Sequence, residues 1–120
     1  MKNTMKAAVF YGRHDMRIGQ VEMPRIGEDE VLVKVAYCGV CGTDVHICEG
    51  DKGCAEGHPP IILGHEFSGV IAEVGARVRN RKAGDRVNVD PNVLCGRCEC
   101  CLSAKGHFCE HMTGIGTMVN

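Results

Sequence analysis

Four cysteines in the last quarter of the sequence have a spacing typical of a metal site. They form the pattern C-x2-C-x2-C-x7-C, at Cys95, Cys98, Cys101 and Cys109. This segment holds only Leu102 and Phe108 as sizeable apolar side chains, so it cannot build a core of its own. Four thiolates around Zn²⁺ form a closed tetrahedral shell that leaves no position for a substrate. The spacing therefore predicts a structural zinc site in which metal binding is coupled to folding.

Two disulfides are the alternative use of this cysteine cluster. The chain has nine cysteines, an odd number, and its first residues lead directly into a strand-like pattern rather than a signal peptide. Both features favour zinc, because disulfides belong mainly to secreted proteins. A fifth thiol, Cys100, adjoins Cys101, and the spacing alone leaves open which of the two binds the metal.

A redox motif and a zinc ribbon are the alternative uses of the cysteines outside this cluster. A thioredoxin-like redox motif at Cys38 and Cys41 is disfavoured because no βαβ pattern surrounds it. A zinc ribbon that pairs them with the cluster is also disfavoured, because 53 residues lie between positions 41 and 95, against about 15–20 in such ribbons. Cys38 is expected to face the core, as free cysteines often do. Cys48 and Cys54 are expected to be free loop thiols, and four histidines to lie at the surface: His14, His58, His107 and His111.

A second group of metal-binding residue types lies in two glycine-flanked turns. Cys41, His65 and Glu66 offer a thiolate, an imidazole and a carboxylate, and such a set leaves one position open on Zn²⁺. A zinc ion held in this way polarises an alcohol oxygen or lowers the pKa of a bound water to about 7. Asp44 is placed to orient His65 as its hydrogen-bonding partner. On spacing alone this signal is weak, because 23 residues separate Cys41 from His65.

The segments that position these groups are mostly β-strands. Alternation of apolar residues predicts strands over 5–11, 16–23, 30–38, 61–63, 67–78 and 86–89. Between the third and fourth strands, a short helical turn is predicted over 43–47, capped by Thr43 and Asp44. A loop is predicted from Cys48 to Pro60. In the third strand Val31, Val33 and Val35 are expected to face the core. Gly75 is expected to mark a turn or bulge. Short strands separated by glycine turns indicate a β-barrel or sandwich.

Composition excludes several classes of partner. The net charge is −1, the chain has no Trp and aromatic residues are 4%, so nothing predicts nucleic-acid binding. No apolar run approaches the roughly 20 residues that span a bilayer. The expected setting is therefore the reducing cytoplasm, without a membrane partner.

Four blocks of the sequence, in order, resemble the zinc-dependent medium-chain alcohol dehydrogenases. They are CGVCGTDVH at 38–46, GHEFSG at 64–69 followed by Gly75 and Val78, GDRV at 84–87, and the four-cysteine lobe. The resemblance runs from about Met5 to the end of the chain and is nearest to polyol (sorbitol-like) and threonine dehydrogenases. It implies a mostly β fold, a GroES-like partly open β-barrel with a small zinc-binding lobe over about 91–113.

The resemblance also implies roles for individual residues. Cys41 and His65 match ligands of the family's catalytic zinc, and Glu66 matches an adjacent acid that binds it in some members. Thr43 and His46 match a proton relay, and Asp44 matches the partner of the ligand histidine. The family's structural zinc ligands correspond to Cys95, Cys98, Cys101 and Cys109, so the resemblance favours Cys101 over Cys100.

The implied reaction is the oxidation of an alcohol or polyol with hydride transfer to NAD(P). No G-x-G-x-x-G fingerprint of a Rossmann domain occurs in the sequence. Residues 1–120 are therefore expected to be the N-terminal part of the GroES-like catalytic domain, a fragment inactive alone, of a full-length enzyme that forms a homo-oligomer. The alternative is a standalone zinc-stabilised GroES-like binding module without catalysis.

Overall fold

The computed structural model of the protein describes residues 3–51 and 58–120. In chain order its elements are β1 (Thr4–Gly12), β2 (Asp15–Glu22), β3 (Val31–Cys38), α1 (Gly42–Glu49), β4 (Ile61–Ile62), β5 (Phe67–Val74), β6 (Arg86–Asn88), β7 (Asn92–Val93), α2 (Glu99–Leu102), a 3-10 turn (Gly106–Phe108) and β8 (Thr113–Gly114). Cys54 and part of the predicted loop from Cys48 to Pro60 lie outside the described residues. Among the described helices, none has the length and hydrophobicity to cross a membrane.

The strands form three small antiparallel sheets that do not close on one another. Their strand orders are β2-β1-β4, β3-β5-β6 and β7-β8. This mostly β architecture agrees with the predicted partly open barrel. The pairing of β3 with β5 sets Cys38 opposite Phe67, so the turn after β3 lies beside the turn before β5. Sheet register thereby brings two segments together that are distant in sequence.

A small apolar cluster fixes the main helix to the first sheet. Phe10 of β1, Ile47 of α1, Ile61 of β4 and Leu63 are each buried and contact one another. Ile47 is the only buried residue of α1, so the polar side chains of that helix remain on its outer faces. The cluster determines where those polar groups are held.

The predicted core face of β3 is wrong. Val35 is 52% exposed and Tyr37 is 80% exposed. No residue of β3 is buried, and every residue from Lys34 to Cys38 is exposed, on both faces of the strand. The strand register also shifts twice, between Leu32 and Val33 and between Val35 and Tyr37. The simple alternation in the sequence therefore does not translate into one buried face.

The strand predicted over 67–78 ends earlier, at Val74. The turn predicted at Gly75 is confirmed: Val78 donates its N–H to the Gly75 carbonyl, and Gly75 donates its own to Glu30. A Cβ atom at position 75 would overlap the carbonyl oxygens of Gly27 and Glu28. Glycine is needed here because another backbone segment passes very close.

Candidate metal centres

The four predicted cysteines of the lobe converge on one point. The sulfur atoms of Cys95, Cys98, Cys101 and Cys109 all lie within 4.8 Å of one another. The Sγ atoms of Cys95 and Cys101 are 3.9 Å apart, which is close to the edge of about 3.8 Å that Zn–S bonds of 2.3 Å give in a tetrahedron. A disulfide needs a separation of about 2.0 Å. The sulfur arrangement therefore fits a tetrahedral zinc ion rather than disulfides.

Backbone N–H groups favour thiolates at the start of the lobe. The N–H groups of Arg97 and Cys98 lower the pKa of the Cys95 thiol to about 6, and the Cys98 N–H lies 3.4 Å from the Cys95 sulfur. The N–H groups of Cys101 and Glu110 lower the pKa of Cys98 in the same way. Zinc binds thiolates, so these donors prepare two ligands for the metal.

Cys101 has the opposite environment. Burial, followed by the neighbouring thiols of Cys98 and Cys109, raises the pKa of Cys101 to about 12. Thiolates held this close repel one another, so a proton on Cys101 is favoured until a cation offsets the repulsion. Metal binding at this centre is therefore expected to release a proton.

Cys100 lies outside the group of four sulfur atoms. Burial raises the pKa of its thiol, and its carbonyl oxygen accepts hydrogen bonds from the Lys105 N–H at 2.8 Å and the Ser103 hydroxyl at 3.3 Å. The geometry places the sulfur of Cys101, rather than that of Cys100, in the group of four. Cys100 contributes to the lobe through its backbone.

The second predicted group also converges. One ligand atom each from Cys41, His65 and Glu66 lies within 4.8 Å of the others. Cys41 and His65 are half-buried, whereas Glu66 is exposed. The donor set of sulfur, nitrogen and oxygen suits zinc, and three protein ligands are the number found in catalytic zinc sites. The residues present therefore fit a metal ion with an open coordination position.

Backbone contacts hold the two halves of this second centre together. Gly39 donates its N–H to the carbonyl oxygen of Glu66 at 2.8 Å. A Cβ atom at Gly39 would come within 2.9 Å of the Glu66 carboxylate, so glycine allows the two turns to approach. Cys41 is thereby fixed near His65 although the two are far apart in the sequence.

Asp44 connects the helix start to His65. Its Oδ2 atom accepts a hydrogen bond of 2.9 Å from the Cys41 N–H, and its Oδ1 atom lies 3.4 Å from His65 Nδ1. The two side chains are only 13% and 12% exposed, and Oδ1 and Nδ1 have no hydrogen-bond partner in the described structure. The 3.4 Å approach places the carboxylate beside Nδ1 without a hydrogen bond between them. It leaves Nε2 of His65 as the nitrogen available to a metal.

The predicted helix cap is corrected by the structure. The helix begins at Gly42 with Cys41 as its N-cap, so of the two predicted capping residues Asp44 takes part in the cap and Thr43 does not. Asp44 is the third helical residue, and its carboxylate reaches back to the N-cap N–H as in a capping box. The cap and the contact with His65 therefore share one carboxylate.

The two predicted relay residues lie on one helix but do not contact each other. The Thr43 hydroxyl is 3.6 Å from the Cys41 sulfur, so it lies beside the second centre. His46 is three residues further along the same helical face, is 59% exposed, and contacts Asp51 instead.

The predicted positions of two cysteines outside the lobe are wrong. Cys38 is exposed rather than facing the core, as is every residue of β3 from Lys34 onward. Cys48 is not a loop thiol: it lies in α1 and contacts the apolar cluster. The surface position of His14, His58, His107 and His111 is confirmed.

Two residues near the candidate sites, Gly116 and Asp51, are not singled out by the sequence patterns. Gly116 is buried, with φ at +74°, and accepts a hydrogen bond of 3.0 Å from the Gly64 N–H, next to His65. The pattern Gly114-x-Gly116 was a signal for such a turn. For Asp51 the signal was an acid directly after Gly50, a residue type that commonly ends a helix.

We expect Gly116→Ala to destabilise the protein more than Gly84→Ala. Both glycines have positive φ, at +74° and +93°, so each substitution costs about 1–2 kcal/mol of backbone strain. Only at Gly116 would the Cβ overlap the Gly64 carbonyl, whereas nothing lies near it at Gly84. The overlap adds about 1–3 kcal/mol. Urea unfolding of both variants measures the difference, and equal losses would contradict the close contact.

Comparisons with known proteins give the chain's relationships. It is 38% identical over 121 residues to L-threonine 3-dehydrogenase of Rhizobium etli, covering 97% of this chain and 34% of that protein. It is 43% identical over 114 residues to sorbitol dehydrogenase of Bacillus subtilis, covering 94% and 32%. The crystal structure of a zinc-binding dehydrogenase from Sinorhizobium meliloti bound to NADP matches with a TM-score of 0.90 and 38% identity, covering 98% and 33%.

The chain spans about a third of the length of the curated relatives it matches. Residues 27–120 match the family described as Alcohol dehydrogenase GroES-like domain, which is most of the chain. The arrangement of strands and the structural match agree with that assignment. The protein therefore belongs to the alcohol dehydrogenase GroES-like domain family.

Proposed function

We propose that the protein forms part of the catalytic domain of a zinc-dependent oxidoreductase that oxidises a small alcohol or polyol with hydride transfer to NAD(P). The observation that carries this proposal is the convergence of Cys41, His65 and Glu66, with Asp44 behind the histidine. A structural site has four ligands and no free position. Three ligands in a half-exposed turn leave room for a substrate oxygen.

The chain's own residues divide the work of deprotonating the alcohol. A zinc ion held by Cys41 and His65, with Glu66 adjacent, supplies Lewis-acid polarisation of the alcohol oxygen. Thr43, whose hydroxyl lies beside the Cys41 sulfur, is placed to accept the alcohol proton while giving up its own. His46 lies on the same face and is open to solvent, and we assign it to pass that proton on through an intervening water, because its side chain does not contact Thr43. Asp44 holds the His65 ring in a fixed orientation.

The four-cysteine lobe is proposed to bind a second, structural zinc ion. Cys95, Cys98, Cys101 and Cys109 would fill all four positions of that ion, so it takes no part in the chemistry. In this assignment the lobe covers about 91–113 and residues 1–120 form the N-terminal part of the catalytic domain.

The cofactor and substrate are proposed from the relatives. NAD(P) would occupy a separate nucleotide-binding domain, since a zinc-binding dehydrogenase of the same fold is bound to NADP. Similarity to a sorbitol dehydrogenase and an L-threonine 3-dehydrogenase favours a polyol or another secondary alcohol. The eight described cysteines form no disulfide, which suits a reducing cytoplasm. The complete enzyme is proposed to be a homo-oligomer.

Metal titration tests the proposal. Apo-protein titrated with Co²⁺ is expected to bind two equivalents with different visible spectra, one from four sulfur ligands and one from mixed ligands. Cys41→Ala is expected to bind one equivalent and to keep only the four-sulfur spectrum. Sorbitol or threonine should change the mixed-ligand bands of the wild type and leave the four-sulfur spectrum of the variant unchanged.

The reaction itself is tested with the chain joined to a nucleotide-binding domain, by following NAD(P)H formation from sorbitol, threonine and simple alcohols. Turnover that is unaffected by Cys41→Ala would contradict the assigned site. One metal equivalent in both proteins, with no response to alcohols, would instead support a binding module without catalysis.

A further inference from the structure

The end of α1 carries a contact that the proposed reaction does not yet use. His46 Nδ1 lies 2.8 Å from Oδ2 of Asp51. The two side chains are 59% and 54% exposed, so solvent reaches both. The distance is that of a charge-assisted hydrogen bond, and it involves the histidine assigned to the relay.

The helix terminus places Asp51 beside His46. Gly50 follows the helix in the left-handed conformation, with φ at 73°, and donates its N–H to the Ile47 carbonyl at 3.1 Å. Asp51 donates its N–H to the His46 carbonyl at 3.0 Å. This pair of hydrogen bonds is a Schellman motif. It turns the chain back toward His46. Asp51 therefore contacts His46 twice, through its backbone N–H to the His46 carbonyl and through its carboxylate to the His46 ring.

The hairpin between β1 and β2 braces this helix end from the other side. His14 donates its N–H to the Cys48 carbonyl at 3.0 Å, and its ring lies 3.5 Å from the Glu49 carboxylate. The Arg13 side chain lies against Gly50. Glu49 is thus engaged by His14, and Asp51 is the acid in contact with His46.

We propose that Asp51 is a positioning residue that fixes the neutral tautomer of His46, with the proton on Nδ1 and the lone pair on Nε2. An ionised carboxylate only accepts hydrogen bonds, so the ring nitrogen facing it must be the donor. The consequence for catalysis rests on the proposed function, in which His46 passes on the alcohol proton.

The tautomer decides which nitrogen receives that proton. A proton arriving from Thr43 binds the Nε2 lone pair and gives an imidazolium, whose positive charge is balanced by Asp51 and favoured by the helix C-terminus. Loss of a proton to solvent then restores the neutral ring. Without Asp51 the ring proton is no longer held on Nδ1, so Nε2 does not always carry the lone pair, and the ring has no fixed orientation.

Nitrogen NMR tests this inference on the zinc-loaded protein. Two-bond proton–nitrogen spectra of the ¹⁵N-labelled chain, at a pH where the ring is neutral, distinguish the protonated from the bare ring nitrogen, and His46→Gln assigns the signals. The wild type is expected to show Nδ1–H. Asp51→Ala should shift His46 to a mixture dominated by Nε2–H. Asp51→Asn, whose side-chain oxygen still accepts a hydrogen bond, should restore the wild-type pattern.

Glu49→Ala is the matched control, because it removes an exposed acid from the same turn that contacts His14 rather than His46. It should leave the His46 tautomer unchanged. A wild-type ring already protonated on Nε2 would overturn the inference, even if a variant failed to fold. An unchanged tautomer in a folded Asp51→Ala would do the same. Neither result affects the cobalt titration, so failure here is distinguishable from failure of the proposed function.

Discussion

Replacement of Cys98 by serine is expected to release zinc from the lobe and to unfold residues 91–113. Apolar packing there is weak: Leu102 is 76% exposed and Phe108 is 65% exposed, and α2 has no buried residue. Metal binding contributes on the order of 10–16 kcal/mol in small zinc modules. A lobe with so little apolar burial has no other contribution to its folding free energy that is as large as metal binding. Loss of one thiolate ligand should therefore remove most of the stabilisation of this segment.

Cys100→Ser is the matched control for this prediction. It removes a thiol of the same lobe, two residues from Cys98, that lies outside the group of four sulfur atoms. Zinc content and amide hydrogen exchange measure both variants. Cys98→Ser should lose one zinc equivalent and exchange rapidly throughout the lobe, whereas Cys100→Ser should match the wild type. Zinc loss from Cys100→Ser, or full retention by Cys98→Ser, would show that the ligand set is wrong.

The lobe could be predicted from sequence because its geometry is local. Three of its four thiols fall within seven residues, at Cys95, Cys98 and Cys101, so short-range chain geometry is enough to bring them near one ion. The one ambiguity was between two adjacent cysteines. Adjacent residues point in different directions, and a sequence pattern carries no information about which of them faces the metal.

The second centre depends on contacts that spacing cannot supply. Cys41 and His65 meet because β3 pairs with β5 and because Gly39 binds the Glu66 backbone. Strand order and register are tertiary properties. The sequence supplies the residue types of this candidate site, but that they lie together follows from the structure.

Two of the errors in the fold prediction concern the same strand. Alternation of apolar residues in β3 predicted a buried face, whereas every residue from Lys34 to Cys38 is exposed, on both faces of the strand. Cys38 shares that exposure. Alternation distinguishes two faces of a strand, but whether another element covers either face is a tertiary property that the pattern does not contain.

Asp44→Asn is expected to weaken metal binding at the second centre by about 10–100-fold, the usual effect of losing the hydrogen-bonding partner of a ligand. The asparagine oxygen still accepts from the Cys41 N–H, which the carboxylate now binds at 2.9 Å. Its NH₂ group then faces His65 Nδ1, where a proton must also be held if Nε2 is to bind the metal. Two opposed donors force the ring to rotate or to move its proton to the metal-binding nitrogen.

Asp44→Ala separates the two roles of this carboxylate. It removes the acceptor for the Cys41 N–H as well, so it should lose the same metal affinity and also about 1.5–3 kcal/mol of unfolding free energy, the contribution of a hydrogen bond to a charged group. Competition of a chelator for Co²⁺ measures affinity at the mixed-ligand bands, and the four-sulfur bands serve as an internal reference. If Asp44→Asn bound cobalt as tightly as the wild type, the 3.4 Å contact between Asp44 and His65 would have no part in orienting the ligand, and the argument for a metal-directed Nε2 would fail with it.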